Sequence, residues 1–97
     1  MKNIEENALK AANFLKGIAS QHRLLILCQL AEGEKSVTEL IEATGMAQTS
    51  MSQHLSKLKE EKIVTFRRDH RILYYSIDHD AVLKIMDVLY HEFCEEN

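Results

Sequence analysis

A run of short polar side chains between residues 47 and 59 is the first feature of this sequence that suggests chemistry. If the run is helical, apolar side chains recur along one face, namely Ala47, Met51, Leu55 and Leu58. The opposite face then presents uncharged hydrogen-bonding groups, which are Gln48, Thr49, Ser52, Gln53 and Ser56. A face that only meets solvent usually carries Lys and Glu, whereas Ser, Thr and Gln suit base edges and phosphate oxygens. The pattern favours a helix that contacts nucleic acid over a packed helix with a polar outer face.

Positive charge is concentrated next to this run. The whole chain has a formal net charge of −3, which by itself argues mildly against a nucleic-acid partner. Residues 46–72, however, contain six Lys and Arg against three acidic residues. Three of these basic residues, Arg67, Arg68 and Arg71, lie close together. They form either a solvated charged turn or a nucleic-acid contact. Their position beside the polar run favours the contact.

Hydrophobic periodicity predicts the helices that would hold these groups in place. Apolar residues at helical spacing predict a first helix over residues 4–18 and a last helix that begins after Asp78, its expected N-cap. A second helix, apolar nearly all round and so expected to be buried, is predicted over residues 21–31. A short third helix over residues 36–44 ends at Gly45, which would form the tight turn of a helix-turn-helix.

Two strands are predicted after the polar run. Residues 63–66 and 72–77 are rich in β-branched and aromatic side chains, and the basic segment 67–71 would be the turn between them. The tip of this hairpin would lie along the DNA backbone or in the minor groove. The predicted fold is mainly α with a β-hairpin wing, a winged helix-turn-helix of five helices in a single domain over residues 1–97.

The narrow apolar stripes of the first and last helices predict a homodimer built from these two helices. A two-fold dimer would present its two recognition helices to successive major grooves, about 34 Å apart on B-DNA. A domain this short buries only a modest core alone, so a dimer interface would add to its stability.

Composition argues against several other classes of protein. No stretch approaches the roughly 18 consecutive apolar residues of a membrane span, and the acidic, amphipathic N-terminus is unlike a signal peptide. We therefore expect a cytoplasmic protein whose two cysteines are mostly reduced. Neither a glycine-rich phosphate loop nor an HExxH motif is present, so neither an enzyme nor a cofactor is expected.

The order of these elements resembles the ArsR family of bacterial winged-helix repressors, over almost the whole chain. Residues 23–27 resemble the family's second helix, residues 36–40 the start of its helix-turn-helix and residues 71–75 its second wing strand. Residues 50–58, with the sequence SMSQHLSKL, are very similar to the recognition-helix signature. Residues 62–64 depart slightly from the pattern, because a glycine is usual there. The resemblance implies a dimeric repressor that leaves a palindromic operator in response to an inducer.

Two sets of side chains would contact DNA by this resemblance. The major-groove set is Gln48, Thr49, Ser50, Ser52, Gln53 and His54. The wing set is Arg67, Arg68 and Arg71. His54 also has a structural interpretation, in which its ring packs against the neighbouring helix.

Members of the family differ in the site that senses the inducer. The Cys-x-Cys motif of arsenic- and cadmium-sensing members has no counterpart in residues 37–40. The zinc motif of the last helix is matched only in part, by Asp78, Asp80, His91 and Cys94, although all four side chains can bind zinc. A zinc-responsive repressor is therefore an alternative. A winged-helix module that binds only proteins is an alternative of another class.

The cysteine pair, Cys28 and Cys94, resembles the dithiol of the BigR, HlyU and YgaV branch, which senses reactive sulfur species or oxidants. Either cysteine taken alone is consistent with a structural role, since a free cysteine often packs in the core as a small hydrophobic residue. As a pair they imply that one thiolate attacks a persulfide and the second thiol resolves it, which leaves a di- or polysulfide bridge. That bridge would join the second helix to the last one. The resemblance thus implies a repressor that binds its operator when reduced and is released when the thiols are linked.

Overall fold

Helices make up most of the computed structural model, which describes residues 3–94. Within that range the α-helices are α1 Ile4–Ile18, α2 Gln21–Ala31, α3 Val37–Thr44, α4 Gln48–Glu60 and α5 Asp80–Leu89. A π-helical turn, Tyr90–Cys94, continues α5. The five predicted helices are confirmed, and none of the helices described is long and apolar enough to cross a membrane.

Side-chain caps fix the residues at which α2 and α3 begin. Ser20 is the N-cap of α2 and accepts a hydrogen bond from the main-chain N–H of Arg23 at 3.1 Å. At the start of α3, Ser36 N–H donates to Glu39 Oε1 at 2.8 Å and Glu39 N–H donates to Ser36 Oγ at 3.1 Å, which is a complete capping box. Gly45 ends α3 with a left-handed φ of 73° and turns the chain into α4.

An antiparallel sheet follows the order β1-β3-β2, with β1 Lys35–Ser36, β2 Val64–Asp69 and β3 Ile72–Ile77. The predicted hairpin of β2 and β3 is confirmed. The short strand β1 was not predicted, because two residues are too few to show an alternating pattern. It pairs with β3 and so attaches the start of α3 to the wing.

The turn of the hairpin is shorter than the sequence predicts. Instead of lying in a turn over residues 67–71, Arg67 and Arg68 lie in β2, where both pair with β3. The two strands are joined by His70 and Arg71, and His70 adopts a left-handed φ of 60°. Since successive side chains of a strand point to opposite faces, the two strand arginines project from opposite faces of the wing.

The core lies between α2, α4, α5 and the sheet. Its largest fully buried side chains are Ile26, Leu27, Leu40, Met51, Leu55, Leu58, Ile63, Val64, Val82 and Met86. Three of them are the predicted apolar stripe of α4. The fourth predicted member, Ala47, is instead the exposed N-cap of α4, because the helix begins one residue later.

The start of α5 also differs from the prediction. Asp78 lies one residue before the N-cap position, because α5 begins only at Asp80, and the main-chain N–H of Asp78 donates to the carbonyl oxygen of Ile63 at 2.9 Å. His79 occupies the N-cap position and makes no side-chain cap bond. The main-chain bond holds Asp78 in the extended segment after β3, so the helix begins later than expected.

Apolar surface is left exposed on the first and last helical segments. Ile4 and Leu9 of α1 are 58% and 61% exposed, and Val88 and Phe93 at the other end of the chain are 65% and 78% exposed. On α2, Leu25 is 41% exposed, so this helix is not buried all round as its sequence suggests.

Replacing Leu55 by alanine is expected to destabilise the fold strongly. The side chain is 1% exposed, so its truncation leaves a cavity that costs about 2–5 kcal/mol in the free energy of unfolding. The matched control is Ser56→Ala on the exposed face of the same helix, which should change that free energy by less than about 0.5 kcal/mol. Urea titration followed by circular dichroism measures both, and equal losses would contradict the assigned buried face.

Candidate nucleic-acid interface and thiol pair

The outer face of α4 carries the predicted polar residues. Gln48, Thr49, Ser52 and Gln53 are exposed, and Ser50 is half-buried. Their direction follows from the opposite face, where the apolar stripe of α4 is buried in the core. The sequence therefore predicted correctly which side of this helix is available to a partner.

A shallow groove brings α4, the start of α3 and the wing together. Its volume is about 280 Å³, and its polar lining includes Ser36, Thr38, Gln48, Ser52 and Arg71. The structure thus brings a basic residue of the wing and hydrogen-bonding residues of α4 to the same groove. Such a combination can contact a phosphate and a base edge at the same time.

His54 is directed toward α2 and not toward this groove. Arg23 Nε donates to His54 Nδ1 at 3.5 Å, and the His54 ring stacks on His22 with 5.6 Å between ring centroids. Burial lowers the pKa of His54, and the positive charges of Arg23 and then His22 lower it further. These contacts favour the structural interpretation of His54 over a role in the major groove.

Arg23 joins three helices and was missed by the sequence analysis. In addition to its bond with His54, its Nη1 donates to the carbonyl oxygen of Gly17 at 2.6 Å and to Glu61 Oε2 at 3.4 Å. The available signal was a basic residue beside the long apolar run of α2.

The three wing arginines have different surroundings. Arg67 forms a bidentate ion pair with Glu34, with Nη2–Oε1 at 2.6 Å, and its guanidinium lies 4.6 Å from the centroid of the Tyr74 ring. The Glu34 hydrogen bond raises the pKa of Arg67, and the same bond lowers the pKa of Glu34. Arg68 and Arg71 are exposed. The structure therefore gives Arg67 a part in anchoring the wing, while the side chains of Arg68 and Arg71 are exposed to a partner.

The two cysteines lie beside each other where α2 meets the end of the last helical segment. Cys28 is half-buried on α2, Cys94 is exposed in the π-helical turn, and both are free thiols. Burial raises the pKa of the Cys28 thiol, and the neighbouring Cys94 and then Glu32 raise it further. These surroundings disfavour the thiolate form of Cys28, and Cys94 is the more exposed of the two sulfurs.

The four residues of the zinc alternative are not brought together within one chain. Asp78 and Asp80 lie at the start of α5, whereas His91 and Cys94 lie beyond its end, roughly 16 Å or more away along the helix axis. Among residues 3–94, no group of three or more His, Cys, Asp and Glu side chains is close enough to hold a metal ion. The His91 ring instead pairs with Asp87, with Nε2–Oδ1 at 3.4 Å. A site made from all four residues would require a second chain.

Comparison with known proteins gives a consistent set of relatives. Residues 20–65 match the family described as bacterial regulatory protein, arsR family. The nodulation protein NolR of Rhizobium meliloti is 46% identical over 84 residues, which span 87% of this chain and 69% of NolR. The transcriptional activator HlyU of Vibrio cholerae is 32% identical over 100% of this chain and 90% of its own. The biofilm growth-associated repressor of Xylella fastidiosa is 35% identical over 98% of this chain and 83% of its own.

Solved structures have the same architecture. The reduced HlyU of Vibrio cholerae matches this chain with a TM-score of 0.91 at 32% identity, covering 98% of this chain and 100% of that one. A homodimeric winged helix-turn-helix DNA-binding domain from Mycobacterium bovis matches with a TM-score of 0.76 at 29% identity. The match covers 100% of this chain and 95% of that one. These similarities confirm the predicted winged helix-turn-helix fold.

Acidification is expected to destabilise the protein in part through His54. The pKa of this residue lies below its ordinary value of 6.5 in the folded state, so the unfolded chain binds more protons as the pH falls. Stability that is present above pH 6.5 is therefore lost as the pH falls through the folded-state pKa. Urea titrations between about pH 7.5 and pH 5 should show a smaller loss of stability in a His54→Gln variant than in the native protein.

The control for this measurement is Ser56→Ala on the exposed face of the same helix, which removes no titratable group. This variant should keep the native pH dependence. A His54→Gln variant with an unchanged dependence would show that protonation of His54 does not contribute to the loss of stability in acid.

Proposed function

The chain belongs to the ArsR family of bacterial regulatory proteins, and from that premise we propose a DNA-binding transcriptional repressor controlled by its two thiols. A homodimer binds a palindromic operator while Cys28 and Cys94 are reduced. A di- or polysulfide bridge between them, formed by reactive sulfur species or other oxidants, releases the DNA. The whole chain acts in the cytoplasm as one winged helix-turn-helix domain with terminal dimerisation helices.

The convergence of α4 and the wing on one groove is the observation that carries this proposal. Gln48 and Ser52 from α4 share the groove with Arg71 from the wing, and Thr49 and Gln53 are exposed on the same helix. The major groove of B-DNA admits a helix, and its base edges offer donors and acceptors that such side chains can read. The wing would then follow the backbone, where arginine binds phosphate strongly.

Homodimerisation is supported by the exposed apolar residues of the first and last helical segments. Four of them, at Ile4, Leu9, Val88 and Phe93, are each more than half exposed in the isolated chain. A second copy related by a two-fold axis would cover the same surface on both chains. The domain from Mycobacterium bovis with the same fold is described as homodimeric, which supports this arrangement.

The thiol chemistry follows from the proximity of the two sulfurs. The Cys94 thiolate attacks the terminal sulfur of a persulfide R–S–SH, which forms Cys94–S–SH and releases the thiolate R–S⁻. The Cys28 sulfur then attacks Cys94 Sγ and expels the terminal sulfur, which takes the Cys28 proton and leaves as H₂S. The cysteine sulfurs lose two electrons in total, and the transferred sulfur gains them. If each cysteine first receives a sulfur, loss of one H₂S leaves a trisulfide instead.

Such a bridge would act on two parts of the dimer at once. It ties α2 to the π-helical turn, which continues α5 and carries the exposed Phe93. If α5 also packs against the second chain, the bridge would change the angle between the two recognition helices. A structure of the relative HlyU is described as reduced, which is consistent with redox chemistry in this part of the family.

Substitutions on α4 and on the wing should weaken DNA binding in different ways. The probe is a duplex operator selected from random DNA by the native reduced protein. A Ser52→Ala, Gln53→Ala double variant should lose at least about tenfold in affinity, because each base contact is worth about 1–3 kcal/mol. An Arg71→Ala variant should weaken binding as well. In addition, the magnitude of the slope of log K against log salt should fall by about 1, because one phosphate contact is lost.

The two variants serve as controls for each other, since only the arginine change is expected to alter the salt dependence. Fluorescence anisotropy from about 50 to 300 mM salt measures affinity and slope together. Native-like affinity in the double variant would reject the assignment of α4 as the reading helix. Failure of the native protein to select any duplex would favour the protein-interaction alternative.

Linking the thiols should release the operator. After treatment with an organic persulfide, intact-mass spectrometry of the native protein should show the loss of two hydrogens, with one added sulfur where a trisulfide has formed. Mobility shift in the same sample should show weaker binding. The Cys28→Ser and Cys94→Ser variants should each remain bound to the operator after the same treatment. Release of DNA from a Cys28→Ser variant would exclude the dithiol mechanism, and release by stoichiometric zinc would support the metal alternative.

A further inference from the structure

A cleft of about 390 Å³ opens beside Cys28, between α2 and α5. The volume is near the lower end of the range for small-molecule pockets. Leu83, Met86 and Tyr90 supply its apolar and aromatic lining, and two carboxylates, Glu32 and Asp87, lie on its walls. Cys28 lines the cleft, and Cys94 lies close enough to Cys28 to raise its pKa, so a molecule seated in the cleft lies beside one sulfur and near the other.

We propose that this cleft is the reagent-binding site of the thiol pair and that it favours small sulfur donors bearing an ammonium group, such as aminothiol persulfides, over anionic donors. The inference rests on the proposed function, in which the thiols react with such donors. It adds the chemical class of the reagent, which the thiol pair alone does not specify.

The charges around the cleft are the reason for this preference. The described lining contains two acidic side chains and neither Lys nor Arg. Each carboxylate has a partner that does not line the cleft: the Lys35 ammonium group lies 3.7 Å from Glu32, and the His91 ring lies 3.4 Å from Asp87. An anionic donor would therefore approach the thiols against the field of two carboxylates, whereas an ammonium group could pair with either of them.

The size and lining of the cleft restrict the donor in a second way. Tyr90 and Leu83 are 49% and 42% exposed, while Met86 is buried, so the wall is apolar and open on one side. A short aliphatic stem can pack against this wall while its ammonium group meets a carboxylate at the rim. The carbon chain of a small aminothiol has this form.

Symmetrical disulfides that differ only in end-group charge are suitable probes for the charge preference. Bis(2-aminoethyl) disulfide is cationic, bis(2-hydroxyethyl) disulfide is neutral and bis(carboxymethyl) disulfide is anionic. The Cys94 thiolate attacks R–S–S–R, forming Cys94–S–S–R and releasing R–S⁻. Cys28 then displaces the second R–S group and gives it its proton. Two cysteine thiols are oxidised to one disulfide while the reagent is reduced to two thiols.

The experiment compares rate constants for the loss of free thiols in the full-length protein, followed by quenched intact-mass spectrometry. The variants are Glu32→Gln and Asp87→Asn, and the control is Glu42→Gln, which makes the same charge change on an exposed part of α3. Dividing each rate by that of the native protein cancels the intrinsic reactivity of each reagent. Circular dichroism checks that each variant is folded.

Each cleft variant should slow the cationic reagent by about threefold to tenfold and accelerate the anionic one by a similar factor. The neutral reagent should be nearly unaffected, and high salt should reduce the difference. The Glu42→Gln control should leave all three ratios near one. Equal effects on the three reagents, or the same pattern in the control, would overturn the proposal.

A parallel mobility-shift assay separates this inference from the proposed function. Charge-selective oxidation without DNA release would refute control of DNA binding by the thiols but support the cleft as a reagent site. DNA release on oxidation without charge selectivity would support the thiol switch and refute the cleft.

Discussion

The burial of one face of α4 is the constraint on which the rest of the structure depends. Met51, Leu55 and Leu58 are almost completely removed from solvent, which fixes the rotation of the helix about its own axis. The polar side chains between them must then face outward. Turning the helix would expose apolar side chains whose burial contributes about 1.5–3 kcal/mol each. The outer face is therefore held in position by the core and remains free to contact a partner.

The helix α2 connects the two sites that the sequence places far apart. At its start Arg23 contacts α4, and in its middle Cys28 meets the end of the chain. The turn after its C-terminus carries Glu34, which anchors the wing through Arg67. Since protein interiors are close-packed and transmit displacement, the covalent link proposed at Cys28 would act on a segment that is joined to both α4 and the wing.

The distribution of charge matches this division of the molecule. Residues 46–72 have six basic and three acidic side chains, so the rest of the chain has six basic and twelve acidic ones. The basic segment forms α4 and the wing, whereas the acidic remainder includes Glu32 and Asp87 beside the thiols. The net charge of −3 for the whole chain therefore does not describe the charge of either the basic segment or the acidic remainder. Local fields of this kind would steer a polyanion to one side and disfavour small anions on the other, as both proposals require.

The sequence by itself determined the helices, the hairpin and the outward face of α4, because these depend on periodicity and caps within a few residues. The limits of α2 and the capping box at Ser36 follow from such local signals. The tertiary structure alone decided the contacts between distant residues: the three bonds of Arg23, the anchoring of Arg67 and the strand β1. The pairing of Cys28 with Cys94 was implied by family resemblance and not by spacing. Contacts of this kind depend on how whole elements pack, and packing leaves no periodic signal in the chain.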